Sequence, residues 1–523
     1  MNFLRLKFLK NYSIFNYLFL IFFFFYSFYI IRYQYDGHHI GIMYSNAIDL
    51  ISGKQPYKEI FIQYGFLTTL IHSLILLLFE NKVFFISFFN IIFYLIGILF
   101  IGKSINNLTN KGYSLIVIII ILFNHPIPWL PWSNYLSFFF ISISLFLLTN
   151  HKKNFFLISL LLSLSILTRQ DFFIPIILSF VIFCFFNLFK KDKADVKNLI
   201  RILLGFCLPI FIFFSYLIFI DNFTNWVDYL VLPKYYLELY GTSPINLVLN
   251  FIIFFSTESF FDFISTPQYF LISVILIFNS FIIFLKIINR LNIPNNIFYI
   301  VLLSSFFSSV CLKIELFRLY TSVIFGLIPL IYFINNIKNN ELKKNLQLLI
   351  ILPAIYSFVF YPFGNNKVFK NIDFNSSNLT LKKDEYAYYK WPNNKINSIN
   401  LIYDLITKCD VKYLDNLTFD TIFSTIGNYD RIRVLPYEKA SYKNTKFHMY
   451  IDSIKNPNDN FIELINYEII NENIILLIDN NNNIYNNNRI KFTNSYKSFK
   501  INESDILGKP KIIRVYFPSK CLN

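Results

Sequence analysis

Tyr35-Asp36-Gly37-His38-His39 stands directly behind the first hydrophobic run, Tyr12–Ile31. A membrane-crossing helix takes about 20 apolar residues, and this run qualifies. It follows a basic start (Arg5, Lys7, Lys10), and Arg32-Tyr33-Gln34-Tyr35 after it offers no small-residue cleavage site. It therefore reads as an uncleaved first span with its N-terminus in the cytoplasm. The polar stretch then faces outside, in a first outside loop of residues 32–60. An acid, two histidines and a glycine at a membrane surface mark a place for chemistry in a chain that is otherwise greasy.

Composition supports that frame. The chain of 523 residues is 55% hydrophobic and 15% charged, with mean hydropathy +0.50. A soluble globular protein carries roughly 25% charged residues. The sequence thus predicts an α-helical polytopic membrane protein. Phe, Ile, Asn, Lys and Tyr all have AT-rich codons, so their excess reflects base composition more than function. The net charge of +16 lies largely in short clusters between hydrophobic runs, such as Lys152/Lys153, Lys190/Lys191/Lys193/Lys197 and Lys343/Lys344. That pattern reports orientation, and it removes the reason to expect a nucleic-acid partner. The five cysteines show no CxxC and no Cys/His spacing, so no metal site and no redox motif is indicated. Cys184, Cys207 and Cys311 read as apolar filler. Cys409 and Cys521 lie in a polar tail and can pair if that tail is outside the cytoplasm.

Residues from Gly37 to Gly53 are amphipathic, with Ile40, Met43, Ala47, Ile48 and Ile51 opposite Ser45, Asn46, Asp49 and Ser52. A helix of that kind lies along the membrane interface. Gly53 and Pro56 end it. Phe61–Phe79 and Val83–Gly102 then read as a hairpin of two spans around Glu80-Asn81-Lys82. Tyr113–Phe123 is too short to span and reads as a re-entrant or partial helix. Further spans are expected at 135–149, 155–168, 172–189, 199–220, 269–285, 297–312, 319–335 and 346–361, giving about 11 spans, with 12 or 13 as alternatives. A second amphipathic stretch covers Ile245–Phe263. The odd count places residues 364–523 outside, as a small α/β or α+β domain behind a transmembrane domain of residues 1–363. Strands are expected at Ser398–Ile406, Arg431–Leu435, Ile474–Ile478 and Ile512–Phe517, and Asn480–Asn488 is a low-complexity loop.

Charges at membrane spans are costly and mark function by default. Asp36 can serve as a general base, help worth roughly 10²–10⁴ in rate, or simply cap the amphipathic helix behind it. His38 and His39 are adjacent, not spaced i, i+3 or i+4, so they suit contact with a sugar or phosphate better than metal ligation. Thr168-Arg169-Gln170-Asp171 sits between two spans. Arg169 and Asp171 can satisfy each other, or Arg169 can aim its planar donor fork at a phosphate. Lys313-Ile314-Glu315-Leu316-Phe317-Arg318 leaves the same choice open for Glu315 and Arg318.

Three stretches together carry a resemblance: Tyr35-Asp36-Gly37-His38-His39, Leu50-Ile51-Ser52-Gly53-Lys54-Gln55-Pro56-Tyr57-Lys58-Glu59, and Gln63-Tyr64-Gly65-Phe66-Leu67. They resemble the first outside loop of GT-C superfamily glycosyltransferases, which include protein O-mannosyltransferases and the lipid A aminoarabinose transferase type. Phe66 stands where the family pattern has proline. Ser165-Ile166-Leu167-Thr168-Arg169-Gln170-Asp171 also resembles a junction of bacterial members. The resemblance implies a polyprenyl-phosphate-linked sugar as donor, a glycan, lipid or protein acceptor, and inversion at the anomeric carbon. Asp36 would be the base, Tyr64 would lie at the substrate, and Arg169 or Arg318 would stabilise the departing phosphate. It implies no cofactor and no metal. Many members carry a second acid in the next outside loop. Here Asn134 holds that place, which leaves the role to Glu59 or Asp171.

Two other functions compete. An envelope-polysaccharide polymerase or ligase would place its key arginines in a large late outside loop, whereas here the acid follows the first span. A transporter would show internal repeats or mid-membrane charges, and the charges here cluster at one face.

Overall fold

The computed structural model describes residues 14–32, 39–60, 62, 64–109, 112–125, 132–151, 153–188, 193–229, 267–307, 316–360, 388–390, 393–409, 413–417, 459–479, 490–504 and 510–522. The expectations for Asp36, His38, Glu315, Ile245–Phe263, Arg431–Leu435 and Asn480–Asn488 lie outside these residues.

The N-terminal part is a bundle of helices: α1 (Ile14–Ile31), α2 (His39–Ile51), α3 (Phe66–Leu78), α4 (Val83–Leu108), α5 (Gly112–Phe123), α6 (Ser133–Thr149), α7 (Phe155–Thr168), α8 (Phe173–Leu188), α9 (Lys193–Phe219) and α10 (Phe223–Tyr229). It continues with α11 (Pro267–Ile287), α12 (Asn295–Phe307), α13 (Leu316–Val323), α14 (Leu327–Asn335) and α15 (Asn340–Phe360). Three stretches are long and apolar enough to cross a membrane by length and composition: Val83–Leu108, Lys197–Phe219 and Phe270–Ile287. With the apolar composition, they make this an α-helical membrane protein.

Side-chain pairs give the direction of each helix. The end of the bundle where α1 finishes is called the upper end below. Phe28 meets Phe84 and Phe24 meets Phe88, so α4 runs antiparallel to α1 and starts at the upper end. Asn16 bonds Ser114 at 3.1 Å and Phe23 meets Phe123, so α5 runs parallel to α1. Tyr94 meets Tyr135 and Phe100 meets Phe146, so α6 runs with α4. Ser137 pairs with Thr168 and Ser144 with Ile158, so α7 returns upward. Asn134 pairs with Thr321 and Phe138 with Phe325, which sets α13 alongside α6 in the same direction.

This pairing corrects the expected hairpin. The turn after α3 lies beside the finish of α1, because Phe79 stacks on Phe85 next to Phe84. The start of α3 abuts the upper end of α7 at Leu167 and Thr168. Both ends of α3 therefore lie toward the upper end, and α3 does not run the length of the bundle. Its 13 residues carry Thr68, Thr69, His72 and Ser73, all buried, on an otherwise apolar helix. Conversely, the short α5 does run from the lower end upward. Val117, Ile118, Ile120 and Ile121 within it are fully buried.

The amphipathic helix is present as α2, with Gly53 at φ +86° ending it as a glycine C-cap does. Its surroundings differ from expectation. Ser45, Asn46 and Asp49 are buried, not solvated, because α2 packs on α3 and α4. Asp49 takes Lys54 as its partner at 3.0 Å. Cys207 is exposed on α9 and packs no core.

The C-terminal unit comprises α16 (Asn393–Lys408), α17 (Asp459–Ile470) and four strands, β1 (Tyr413–Leu417), β2 (Ile474–Asp479), β3 (Tyr496–Ser504) and β4 (Pro510–Pro518). The sheet order is β1-β2-β4-β3, with β1 parallel to β2 and the other pairs antiparallel. The expected strands at Ile474–Ile478 and Ile512–Phe517 are there. Ser398–Ile406 is helical instead. Within α16, Ile396, Ser398 and Ile402 are buried and Leu401 is exposed, a helical period that its β-branched residues disguise. Cys409 and Cys521 form a disulfide that ties the end of α16 to the last turn of the chain. Ahead of α16, Lys390 N–H donates to Arg32 C=O at 2.6 Å, and the buried Tyr389 packs against Phe84. This short segment fastens the chain to the finish of α1.

Candidate functional site

Helix lengths shape the upper end. The lower ends of α4 and α6 are level, since Asn107 bonds Thr149 at 3.4 Å. With 26 residues against 17, α4 rises about 13 Å farther than α6, at roughly 1.5 Å per residue. Helices α5 and α7, with 12 and 14 residues, stop lower still. The finishing residues of α5 and α7 and the first turn of α6 thus form a floor below the upper ends of α1 and α4.

Arg169 is the hub of that floor. It lies just past α7 and is 3% exposed. Its Nε donates to Asp171 Oδ1 at 2.7 Å and Oδ2 at 3.0 Å, and its Nη2 donates to Asp171 Oδ2 at 2.7 Å. Its Nη1 donates to Asn134 Oδ1. Asn134 in turn donates through Nδ2 to Thr321 Oγ1 at 3.1 Å. The guanidinium lies over the rings of Tyr64 and Phe172, 5.6 and 5.5 Å from their centroids, a cation–π arrangement. Burying a guanidinium costs several kcal/mol unless it is paired and hydrogen-bonded. Here a bidentate carboxylate, an amide and two rings meet that need.

The first-loop motif docks on this hub. Gly65 has no room for a side chain: a Cβ there would sit 2.6 Å from the Thr168 carbonyl carbon. Thr68 Oγ1 donates to Thr168 C=O at 2.8 Å, and Ser137 Oγ lies 2.6 Å from Thr168 Oγ1. Tyr57 adopts φ +67°, uncommon for a bulky residue and worth about 1–3 kcal/mol of strain. Packing against Phe213 and Leu217 holds it, as does a 3.1 Å bond from its N–H to Ile60 C=O. Burial pushes its phenol pKa up, partly offset by a hydrogen bond with the Phe66 backbone at the start of α3.

The structure therefore joins Tyr64, Arg169 and Asp171 and adds Asn134, the position where the resemblance has an acid. Arg169 does not present a free fork: Asp171 and Asn134 occupy it. Asp171 is the more accessible partner, its side chain 29% exposed against 4% for Arg169. Glu59 is exposed and accepts the Gln55 N–H at 2.7 Å, closing its own turn. Among the described residues no hydrogen bond or ion pair links Glu59 to Arg169 or Asp171. Asp36 and His38 lie outside the described residues, as do the side chains of His39 and Arg318. Among the described residues no group of three His, Cys, Asp or Glu is placed to hold a metal.

A second polar cluster shares the floor and has no sequence signal. His125, two residues past α5, has Nδ1 3.2 Å from Tyr94 Oη and Nε2 3.3 Å from Tyr135 Oη. Tyr320 closes a third side, edge-on at 6.5 Å, with its own hydroxyl donating to Ile121 C=O at 2.7 Å. Tyr135 follows Asn134, and Tyr320 precedes Thr321. The two clusters thus stand on adjacent residues of α6 and α13.

The chain is a helical membrane protein with a recessed polar floor built around one buried arginine. No protein-family model and no curated protein sequence matches it. In structure it is similar to the crystal structure of the Archaeoglobus fulgidus oligosaccharyltransferase in the apo form, with 12% identity, 90% of this chain and 70% of that chain covered, and a TM-score of 0.49.

Proposed function

We propose that this chain is a glycosyltransferase that moves a sugar from a polyprenyl-phosphate carrier to an envelope acceptor. In this reading the upper end faces away from the cytoplasm, in the cytoplasmic membrane of the cell. Asp36 takes the proton of an acceptor hydroxyl, whose oxygen attacks the anomeric carbon. The bond from that carbon to the phosphate oxygen breaks with inversion, and the carrier leaves as polyprenyl phosphate. No metal or other cofactor is needed for these steps. The acceptor is a lipid, a glycan or a protein.

One observation carries the reading. The two stretches that resemble GT-C enzymes, at 63–67 and 165–171, lie about 100 residues apart in the chain and touch at Gly65–Thr168 and Tyr64–Arg169. The position expected to hold a second acid, Asn134, bonds the same arginine. Asp171 supplies the acid there. Arg169, matched by Asp171, acts in this reading as the clamp that fixes Asp171 and the Tyr64 ring at the floor. The Cys409–Cys521 disulfide supports an extracytoplasmic C-terminal unit, since such bonds form in oxidising compartments.

The test is transfer by membranes holding Asp36→Asn, supplied with radiolabelled polyprenyl-phosphate sugars. General-base loss lowers transfer by roughly 10²-fold or more. Full transfer by the Asn variant removes Asp36 as the base.

A further inference from the structure

We propose that Asn222, at the junction of α9 and α10, is a positioning residue for the floor. It locks the Pro56–Tyr57 peptide unit in a strained setting and so holds the stretch of chain that carries Tyr64 to Arg169. The assignment rests on the glycosyltransferase reading only in naming sugar transfer as the process served; the lock itself is built from hydrogen bonds.

A φ of +67° at Tyr57 persists only where the surroundings over-determine it. That angle sets how Tyr57 is turned against the peptide unit joining it to Pro56. Both polar atoms of the unit are gripped. Its N–H donates to Ile60 C=O at 3.1 Å, and its C=O accepts Asn222 Nδ2 at 3.2 Å. Asn222 Nδ2 also reaches Gln55 Oε1 at 3.4 Å. Rotating the unit to relieve Tyr57 breaks the bonds to Ile60 and Asn222 together. The Tyr57 ring is buried edge-on to Phe213 of α9, 6.3 Å between centroids, so a turn of the backbone must also move a buried ring.

Asn222 is itself fixed. Helix α9 ends with Asp221 at φ +54°. Asp221 N–H donates to Ile218 C=O at 3.1 Å and Asn222 N–H to Leu217 C=O at 2.8 Å, the pattern of a Schellman motif. Asn222 C=O accepts Trp226 N–H at 3.1 Å, and its Oδ1 accepts Asn225 Nδ2 at 3.1 Å. The residue is fully buried with every polar group engaged, which suits it to hold a turn in one setting. The held turn leads straight to the floor. Ile60 and Ile62 are buried with Tyr57 against Phe213 and Leu217 of α9. Tyr64 follows with its ring at the guanidinium, and Gly65 is seated on Thr168. The chain from Tyr57 to Tyr64 therefore runs between two anchors, Asn222 beyond α9 and Thr168 on α7.

The experiment places 3-fluorotyrosine at position 64 of the full chain in nanodiscs and reads it by fluorine NMR, beside transfer from a radiolabelled polyprenyl-phosphate sugar. Asn222→Leu keeps the side-chain volume and removes the donors. It moves the resonance and lowers transfer about tenfold or more, in kcat and not in KM, as misplacing a group at the reacting centre does. Glycine is at ease at positive φ. With Tyr57→Gly the strain is gone, and adding Asn222→Leu then moves the resonance less than it does with the tyrosine in place. Asn225→Ala frees only Oδ1 of Asn222; it gives a smaller shift in the same direction and carries the test should Asn222→Leu fail to fold. An unmoved resonance in the folded variants overturns the lock, and so does an equal shift in the two backgrounds. A resonance that moves as expected in a chain that transfers no sugar leaves the lock standing and removes the enzyme reading. Transfer by the wild type with an unmoved resonance in the variants does the reverse.

Discussion

Moving the carboxylate from one side of Arg169 to the other tests whether the floor is held by charge matching. Asp171→Asn removes the formal charge and keeps an amide of the same shape. Arg169 is 3% exposed, so the guanidinium is left with amide and ring contacts alone. Removing one partner of a fully buried pair costs about 3–5 kcal/mol. The Asp171 side chain is 29% exposed, and solvent screens its share. The expected loss is therefore smaller, about 2 kcal/mol. Asn134→Asp alone puts a second carboxylate on Nη1, in a site where residue 134 is 2% exposed. Two acids then share one buried cation, which costs about 1–3 kcal/mol. It also takes away the Nδ2 donor to Thr321 Oγ1, a bond of 3.1 Å that the threonine hydroxyl can replace by donating. The double variant holds one acid and one guanidinium again. It should recover at least about 1.5 kcal/mol relative to the sum of the singles. Thermal unfolding of the purified chain in detergent, read as a double-mutant cycle, measures this. Additive losses within about 0.5 kcal/mol would refute the charge-matching account of Arg169.

Two further outcomes follow from the same geometry. Gly65→Ala drives a methyl against the backbone of Thr168 and should destabilise the seat of α3 on α7 by about 1–3 kcal/mol, read as a lowered melting temperature; an unchanged value means the two do not dock as described. Asn81→Cys, in the turn after α3, should react with a membrane-impermeant maleimide from the side reached by a cysteine at Arg32, whereas a spanning α3 would leave it accessible only from the opposite side.

The sequence shows some of this architecture well and hides the rest for physical reasons. The helical membrane class, α2 with its Gly53 stop, and strands β2 and β4 are legible because period and composition report them locally. Tyr64, Arg169 and Asp171 are legible as motif members, but their mutual contact is not, since it depends on where α3 and α7 end in space. The burial of Ser45, Asn46 and Asp49 is invisible for a related reason: hydrophobic periodicity says which face is apolar, not whether another polar face will cover the remaining one. Thr68, Thr69, His72 and Ser73 on α3 show that packed helices in this layer bury polar faces too. His125 and its tyrosines stand singly in apolar runs at unrelated positions, so no spacing rule reaches them.

The exchange of α3 for α5 has a consequence for where a site can form. A helix that meets lipid must match the bilayer, and α9 does: it has 27 residues, with Phe211 and Phe219 exposed. A helix enclosed by protein is under no such constraint. With four fully buried aliphatic residues in 12 positions, α5 is sheltered by its neighbours α1, α4 and α15 and can stop short. Stopping short leaves its end roughly 10 Å below the finish of α1. Polar groups that would be ruinous against lipid can be placed there, because protein and water satisfy them. A length threshold drawn from lipid-facing helices therefore identifies the walls of such a protein and discards the floor. The discarded segments carry the polar groups of the floor: His125 follows the 12-residue helix, and Arg169 follows the 14-residue one.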